Sequence, residues 1–357
     1  MKTNQFFKQK IKVLVVLLSI GLVQCSSEKK EEKDSRPSFY QQLHDIENLN
    51  ITLKTDYDQL LISKSKEGDI YQNAELVVAS GETDKFSTKI EVRPRGVTRK
   101  SMCDYPPLMI KIKKEEREKL GVRKTDNIKL VSFCKTEGGF SDLVSKEYLI
   151  YKLYNVLTDT SYQVKFANLT IQDTLGVAVA ENQIGFMIEP TDAMADRLFC
   201  TYDENDTSPI KKIHKEQYKN FVVFQYMVGN TDWNLSGRHN IRMLDCDSEK
   251  GPKPVPYDFD YSGLVNASYA RPHPMLPIKK VTDRLFQFRG SVDEDFSKTY
   301  QLFKDKKEQF YAVVNDFNSL NEEVKGEMNV FLDQFFQNIE SNEFMREEMM
   351  KVRKKKS

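Results

Sequence analysis

Apolar residues in this chain are spaced mainly for strands before residue 190 and mainly for helices after it, and no other feature limits the available folds as much. Ahead of that point, short segments alternate polar and apolar residues or collect β-branched ones, at 52–55, 74–78, 86–92, 108–113, 127–133, 162–172 and 177–189. A period of two places one side of each segment against a core, which is the pattern of a strand. One segment interrupts them. Residues 142–157 contain no Gly or Pro, follow Ser141 as a candidate cap, and read as a helix. Past residue 190 the spacing becomes helical, at 192–200, 215–228 and most of 292–354, broken by a short strand pair at 240–244 and 255–260. Strands, one helix, strands, then mostly helices is the order of an α+β protein. It predicts a two-lobed chain, with a strand-rich N-lobe at 39–190, a helical C-lobe at 191–357, and a cleft where they meet, near Glu189. The 39% hydrophobic content supplies a sizeable core.

The N-terminus has a separate logic. Lys2, Lys8, Lys10 and Lys12 precede an apolar run at 13–23. That is a charged region and an apolar region of signal-peptide length, shorter than the about 20 residues a bilayer-spanning helix needs. The run ends in Leu22-Val23-Gln24-Cys25, which resembles a lipobox, although Gln24 stands where a small residue is usual. The resemblance implies a lipoprotein signal peptide at 1–24. Cleavage would leave Cys25 as the new N-terminus, carrying diacylglyceryl and palmitate groups. Residues 25–38 are mostly charged and too polar to bury, so they read as a disordered tether. A charged tether directly after the anchor resembles the surface-export signals of Bacteroidetes lipoproteins. That implies an extracytoplasmic, lipid-anchored protein at the outer membrane or cell surface. A net charge of +1 offers no electrostatic case for nucleic acid.

The remaining four of five cysteines are Cys103, Cys134, Cys200 and Cys246. They form no CxxC and no Cys/His cluster, which argues against zinc. Outside the cytoplasm disulfides are permitted. Cys103 precedes the strand at 108–113 and Cys134 follows the one at 127–133. If those strands pair antiparallel, the two cysteines become neighbours and bond. Cys200 and Cys246 lie in different elements of the second half and suggest no pairing.

Reactive side chains concentrate in two places. The segment 229–241 follows a strongly apolar helix and holds Asp232, Trp233, His239 and Asn240; Asp258 and Asp260 come on the far side of the strand pair. An Asp, an Asn a few residues on, and a second Asp at the end of a short hairpin are the groups phosphoryl transfer needs. One carboxylate orients the acceptor hydroxyl, while the other and the Asn oxygen hold Mg²⁺. The sequence has no Gly-x-Ser-x-Gly, no His-Glu-x-x-His and no conventional glycine-rich nucleotide loop.

These residues resemble the atypical kinases of the HipA and spore-coat CotH types, which carry a loop of Asp-x-His-x-x-Asn character followed by an Asp at a strand end. Here seven residues separate Asp232 from Asn240, and His239 abuts Asn240. Segments at 93–96, 103–108, 147–153, 229–233 and 256–260 also resemble an uncharacterised group of Bacteroidetes lipoproteins. The kinase resemblance implies ATP and Mg²⁺ as cofactors, Asp232 as the catalytic carboxylate, and Asn240, Asp258 and Asp260 as metal ligands. It further implies a strand lysine that reaches phosphate, held by a helix glutamate, and a positive group over the nucleotide. Lys111, Glu147 and Arg95 are the candidates. The implied function is Mg-ATP-dependent phosphoryl transfer to an envelope protein or glycan. Two alternatives stand beside it. One is a non-catalytic kinase-like module that binds an envelope partner or polysaccharide. The other is a glycan-acting enzyme with paired carboxylates and Trp233 as a stacking platform.

Overall fold

A computed structural model of the chain describes residues 34–64, 70–204, 210, 212–247 and 250–354. The expected signal peptide, the Cys25 lipidation site and most of the tether lie outside the described residues. The architecture below is that of the unit Arg36–Ser357. Its elements run α1 (Phe39–His44), β1 (Leu49–Thr55), α2 (Tyr57–Ser63), β2 (Gln72–Ser80), β3 (Thr83–Pro94), α3 (Thr98–Met102), β4 (Leu108–Ile112), α4 (Lys114–Leu120) and β5 (Ile128–Val131). Next come α5 (Phe140–Leu157), β6 (Val164–Gln172), β7 (Ala178–Ile188), α6 (Thr191–Arg197), α7 (Lys215–Met227), β8 (Ile241–Leu244) and β9 (Lys253–Pro256). The last described elements are the helices α8 (Ser297–Asp305), α9 (Lys307–Asn315), α10 (Glu322–Asn338) and α11 (Asn342–Lys354).

The mixed α+β order is present, and the strand-rich half closes on itself. Strands β1 to β7 form a barrel in the order β1-β2-β3-β4-β5-β7-β6, sealed by a parallel pairing of β1 with β6. Alternation in sequence does not distinguish an open sheet from a barrel, because both bury one face. Leu76, Val78, Ile90, Val92, Leu108, Ile110, Ile128, Leu130 and Leu169 fill the interior together with Phe39, Leu43 and Leu60 from the first helices. A second core joins the outer face of β5, β6 and β7, through Val131, Val164, Phe186 and Ile188, to α5 and the helical half.

Helix α5 connects the two halves. Gly138 and Gly139 both have positive φ (74° and 70°), and the helix starts at Phe140. The expected cap, Ser141, therefore lies inside the first turn, because the double-glycine turn already fixes the start. Tyr148 packs on Phe186 and Phe166, Tyr151 on Phe259 and Tyr154 on Phe224.

Two disulfides are present among the described residues. Leu108 pairs with Leu130 across antiparallel β4 and β5, so the start of one strand meets the end of the other and Cys103 bonds Cys134 with Cα atoms 4.6 Å apart. Cys200 bonds Cys246, at 4.2 Å, which sequence position alone did not suggest. A bridge between Thr201 and Asp245 brings those two backbones together. Among the described residues no helix is long and apolar enough to cross a membrane.

Candidate functional site

The sequence between Asp232 and Asn240 is longer than the kinase-type loop, and the fold absorbs the excess. Asn234 and His239 pair as an isolated bridge, and the Asn234 side chain accepts from the Gly237 N–H at 2.8 Å. This small hairpin returns His239 and Asn240 to Asp232. The His239 Nε2 lies 3.2 Å from Asp232 Oδ1, and Asn240 Nδ2 donates to the Asp232 carbonyl at 2.7 Å and carboxylate at 3.1 Å. Asn230 Oδ1 accepts from the Asp232 N–H at 3.0 Å and steadies the loop from below. Trp233 is buried edge-on against Phe221 and gives its indole N–H to the Asn230 carbonyl. It is a core anchor, and the expected sugar platform is absent because only 7% of the residue is exposed.

Asn240 also abuts the second motif. Its carbonyl accepts from the Tyr257 N–H at 3.1 Å, continuing the β8–β9 pairing one step past Ile241 and Pro256. Asp258 therefore stands beside Asn240 at the open end of the hairpin. Both residues are left-handed, with φ of 64° for Asp258 and 55° for Asn240. Asn and Asp tolerate that region best, and such backbone strain clusters at functional sites. Phe259 is fully buried against Tyr151 and Phe224, which sets the register for the carboxylates on either side of it.

Those carboxylates meet a buried cation that the sequence reading passed over. Arg99, on α3, forks onto Glu147 at 2.8 and 3.3 Å, reaches Asp260 Oδ2 through Nε at 3.2 Å, and lies 3.5 Å from Asp258 Oδ1. Glu147 is 1% exposed. Burial pushes its carboxyl upward while Arg99 holds it down, and Asp260 is displaced upward for the same reasons. Tyr269 donates to Asp260 at 3.0 Å. One turn along α5 from Glu147, the Tyr151 hydroxyl accepts the Asp258 N–H at 2.9 Å, so one helix face serves both motifs. The Cys103–Cys134 bond closes directly on the C-terminal end of α3 and helps to seat Arg99.

The expected Lys111–Glu147 pair is not formed. Lys111 bonds Glu91 at 3.0 Å and lies over the Tyr71 ring; Lys113, two residues on, also faces Glu91 and donates to Asn73. Another lysine on the same outer face lies nearer the acidic loop. Lys111 shares the outer barrel face with Met109, whose partner across β4–β5 is Lys129. Lys129 is one strand nearer the helical half, in the row that continues into Val131 and the second core. Its Nζ lies 4.7 Å from the centre of the Tyr257 ring. Burial, together with Arg95 and Arg242, pushes Lys129 down to about 8, although Asp258 pulls the other way. Arg95 is half-buried and close enough to act on Lys129 and Tyr257. Arg242 donates to the Tyr257 hydroxyl at 2.9 Å. A cavity of about 290 Å³, lined by Tyr202, Glu204, Arg242 and Met243, lies beside this cationic side.

Sequence reasoning thus named Asp232, Asn240, Asp258, Asp260, Glu147 and Arg95 within one site, and missed Arg99, Lys129, Tyr151 and Tyr269. Arg99 follows Arg95 by four residues, but the five-residue helix that carries it leaves no periodic signal. Nothing in local sequence separates Lys129 from Lys111.

The oxygen donors suit a hard cation. Asp258 and Asp260 offer carboxylates. Asn240 commits its amide nitrogen to Asp232, so its Oδ1 faces away from that residue and accepts no hydrogen bond among the described contacts. Mg²⁺ takes one or two protein carboxylates and completes its shell with water and phosphate oxygens. Among the described residues no three His, Cys, Asp or Glu side chains are grouped as a metal cage. That agrees with the Arg99 guanidinium standing among the carboxylates.

No protein-family model and no curated protein matches the chain. Among solved structures it is similar to the Helicobacter pylori proinflammatory kinase CtkA, over 73% of this chain and 95% of that one, at 7% identity and a TM-score of 0.37. Likeness that slight carries no functional argument.

Proposed function

We propose that this chain is a lipid-anchored, extracytoplasmic protein of two-lobed atypical-kinase type that transfers phosphoryl from Mg-ATP to an envelope protein or glycan. One observation carries the reading. Asp232, His239 and Asn240 meet Asp258 and Asp260 at one end of the β8–β9 hairpin, with Lys129 beside them. Acidic and cationic groups lie side by side, as a phosphate–metal complex demands. Asp232 would accept the proton of an acceptor hydroxyl, with its carboxylate aimed by His239 and Asn240. Lys129 and Arg95 would hold phosphate oxygens. Asn240, Asp258 and Asp260 would hold Mg²⁺, which neutralises phosphate charge when bound. The location rests on the N-terminal sequence, with Cys25 as the anchor.

Incubation of purified protein with Mg²⁺, γ-labelled ATP and envelope extract tests the activity. Label should pass to an acceptor or to the protein itself, and Asp232→Asn should abolish transfer. A wild-type protein that transfers no label and hydrolyses no ATP would retire the catalytic reading. The contact of Arg99 with Asp258 and Asp260 favours a second reading, a non-catalytic module on the same framework. That module would bind nucleotide or partner without transferring label. Burial of Trp233 removes the stacking platform that a glycan-acting enzyme would use.

A further inference from the structure

Arg99 spreads its guanidinium over Glu147, Asp260 and Asp258, three carboxylates around one cation. The three contacts are unequal. Glu147 takes a two-pronged bond at 2.8 and 3.3 Å from a fully buried position. Asp260 is held by a single nitrogen at 3.2 Å, and Asp258 is the most distant at 3.5 Å, with its side chain 35% exposed. A guanidinium does not lose its proton in a protein, so this charge can be moved but not switched off. Bidentate geometry makes Glu147 the firm anchor and the aspartates the loose end.

We propose that Arg99 is a built-in counter-ion that a divalent cation must displace from Asp258 and Asp260. Arg99 then retracts onto Glu147 while the metal takes the aspartate oxygens. The site accordingly takes a bare metal ion poorly, and an ion that arrives with polyphosphate brings its own ligands. Arg99 sets the threshold between the two cases. The inference rests on Asp258 and Asp260 as metal-facing groups, the assignment used under the proposed function.

Mn²⁺ alone, without nucleotide, is the probe. Electron paramagnetic resonance measures free Mn²⁺ against the full chain, and circular dichroism checks that each variant is folded. Arg99→Met should bind Mn²⁺ at least tenfold more tightly than wild type, and adding Asp258→Asn should cancel the gain. Arg99→Lys keeps a buried cation but loses the fork, and should gain about threefold. This variant decides the matter if Arg99→Met does not fold. Unchanged or weaker Mn²⁺ binding in the folded variant overturns the proposal, as does a gain that survives Asp258→Asn. The outcome is independent of phosphoryl transfer. A protein inert toward ATP whose Arg99→Met form gains Mn²⁺ would sink the kinase reading and keep this one.

Discussion

Replacing Arg99 by Met removes the cation bonded to Glu147, Asp258 and Asp260, and the structure predicts both the size and the pH dependence of the loss. Removing one partner of a buried ion pair typically costs about 3–5 kcal/mol, because the other charge stays buried without compensation. Arg99 has two such partners, since Glu147 and the Asp260 side chain are 1% and 11% exposed, while Asp258 is solvated enough to contribute little. Glu147→Gln is the contrasting change. Arg99 keeps Asp260, the amide still accepts a hydrogen bond, and repulsion between carboxylates falls, so the expected cost is about 1 kcal/mol. Burial already raises Glu147 and Asp260, with Arg99 opposing it. Without Arg99 both rise further. A carboxylate whose folded-state pKa is raised contributes its stability at low pH and loses it as pH climbs through the folded value. The Arg99→Met deficit should therefore be larger at pH 8 than at pH 5, by about 1–3 kcal/mol at about 1.4 kcal/mol per unit. Urea unfolding followed by circular dichroism at both pH values measures it. Equal costs for the two variants, or a deficit that ignores pH, would refute this account of the cluster.

Two further outcomes follow from other parts of the molecule. Cys103→Ala with Cys134→Ala opens a loop of sequence separation 31, which loop entropy values at about 3–4 kcal/mol. A chain of this size should then lose about 5 °C in Tm, and an unchanged Tm would show that the bond contributes no constraint. Lys129 should react with amine-directed reagents with a midpoint near pH 8, well below the about 10.4 of an ordinary lysine; a midpoint above 10 would remove it from the cationic side of the site.

Much of the fold was legible because alternation and helical spacing are local. The strand candidates at 86–92 and 108–113 fall on β3 and β4, and the helix candidate at 215–228 on α7. Barrel closure was not legible, since the parallel pairing of Asn50 with Asn168 links residues far apart in sequence. The site divided in the same way. Asp232, Asn240 and Asp258 were readable because a loop and one hairpin bring them together. Glu147 was expected to hold a cation and does, but the cation is Arg99, while Lys111 pairs with Glu91. Lys111 and Lys129 sit on the same barrel face one strand apart, and only register tells which of them reaches the helical half. The Cys200–Cys246 bond escaped for a similar reason, because the Thr201–Asp245 bridge that seats it is a tertiary contact.

Binding of Mn²⁺ with ATP to wild type and to Asp258→Ala tests the central claim most directly. Ligand at about 100 times its Kd adds about 2.7 kcal/mol to the folded state, or about 4 °C in Tm for a chain of this length. The account predicts that rise in wild type and none in Asp258→Ala, measured by thermal unfolding at millimolar Mn²⁺ and ATP. No rise in wild type, or an equal rise in both proteins, would contradict it.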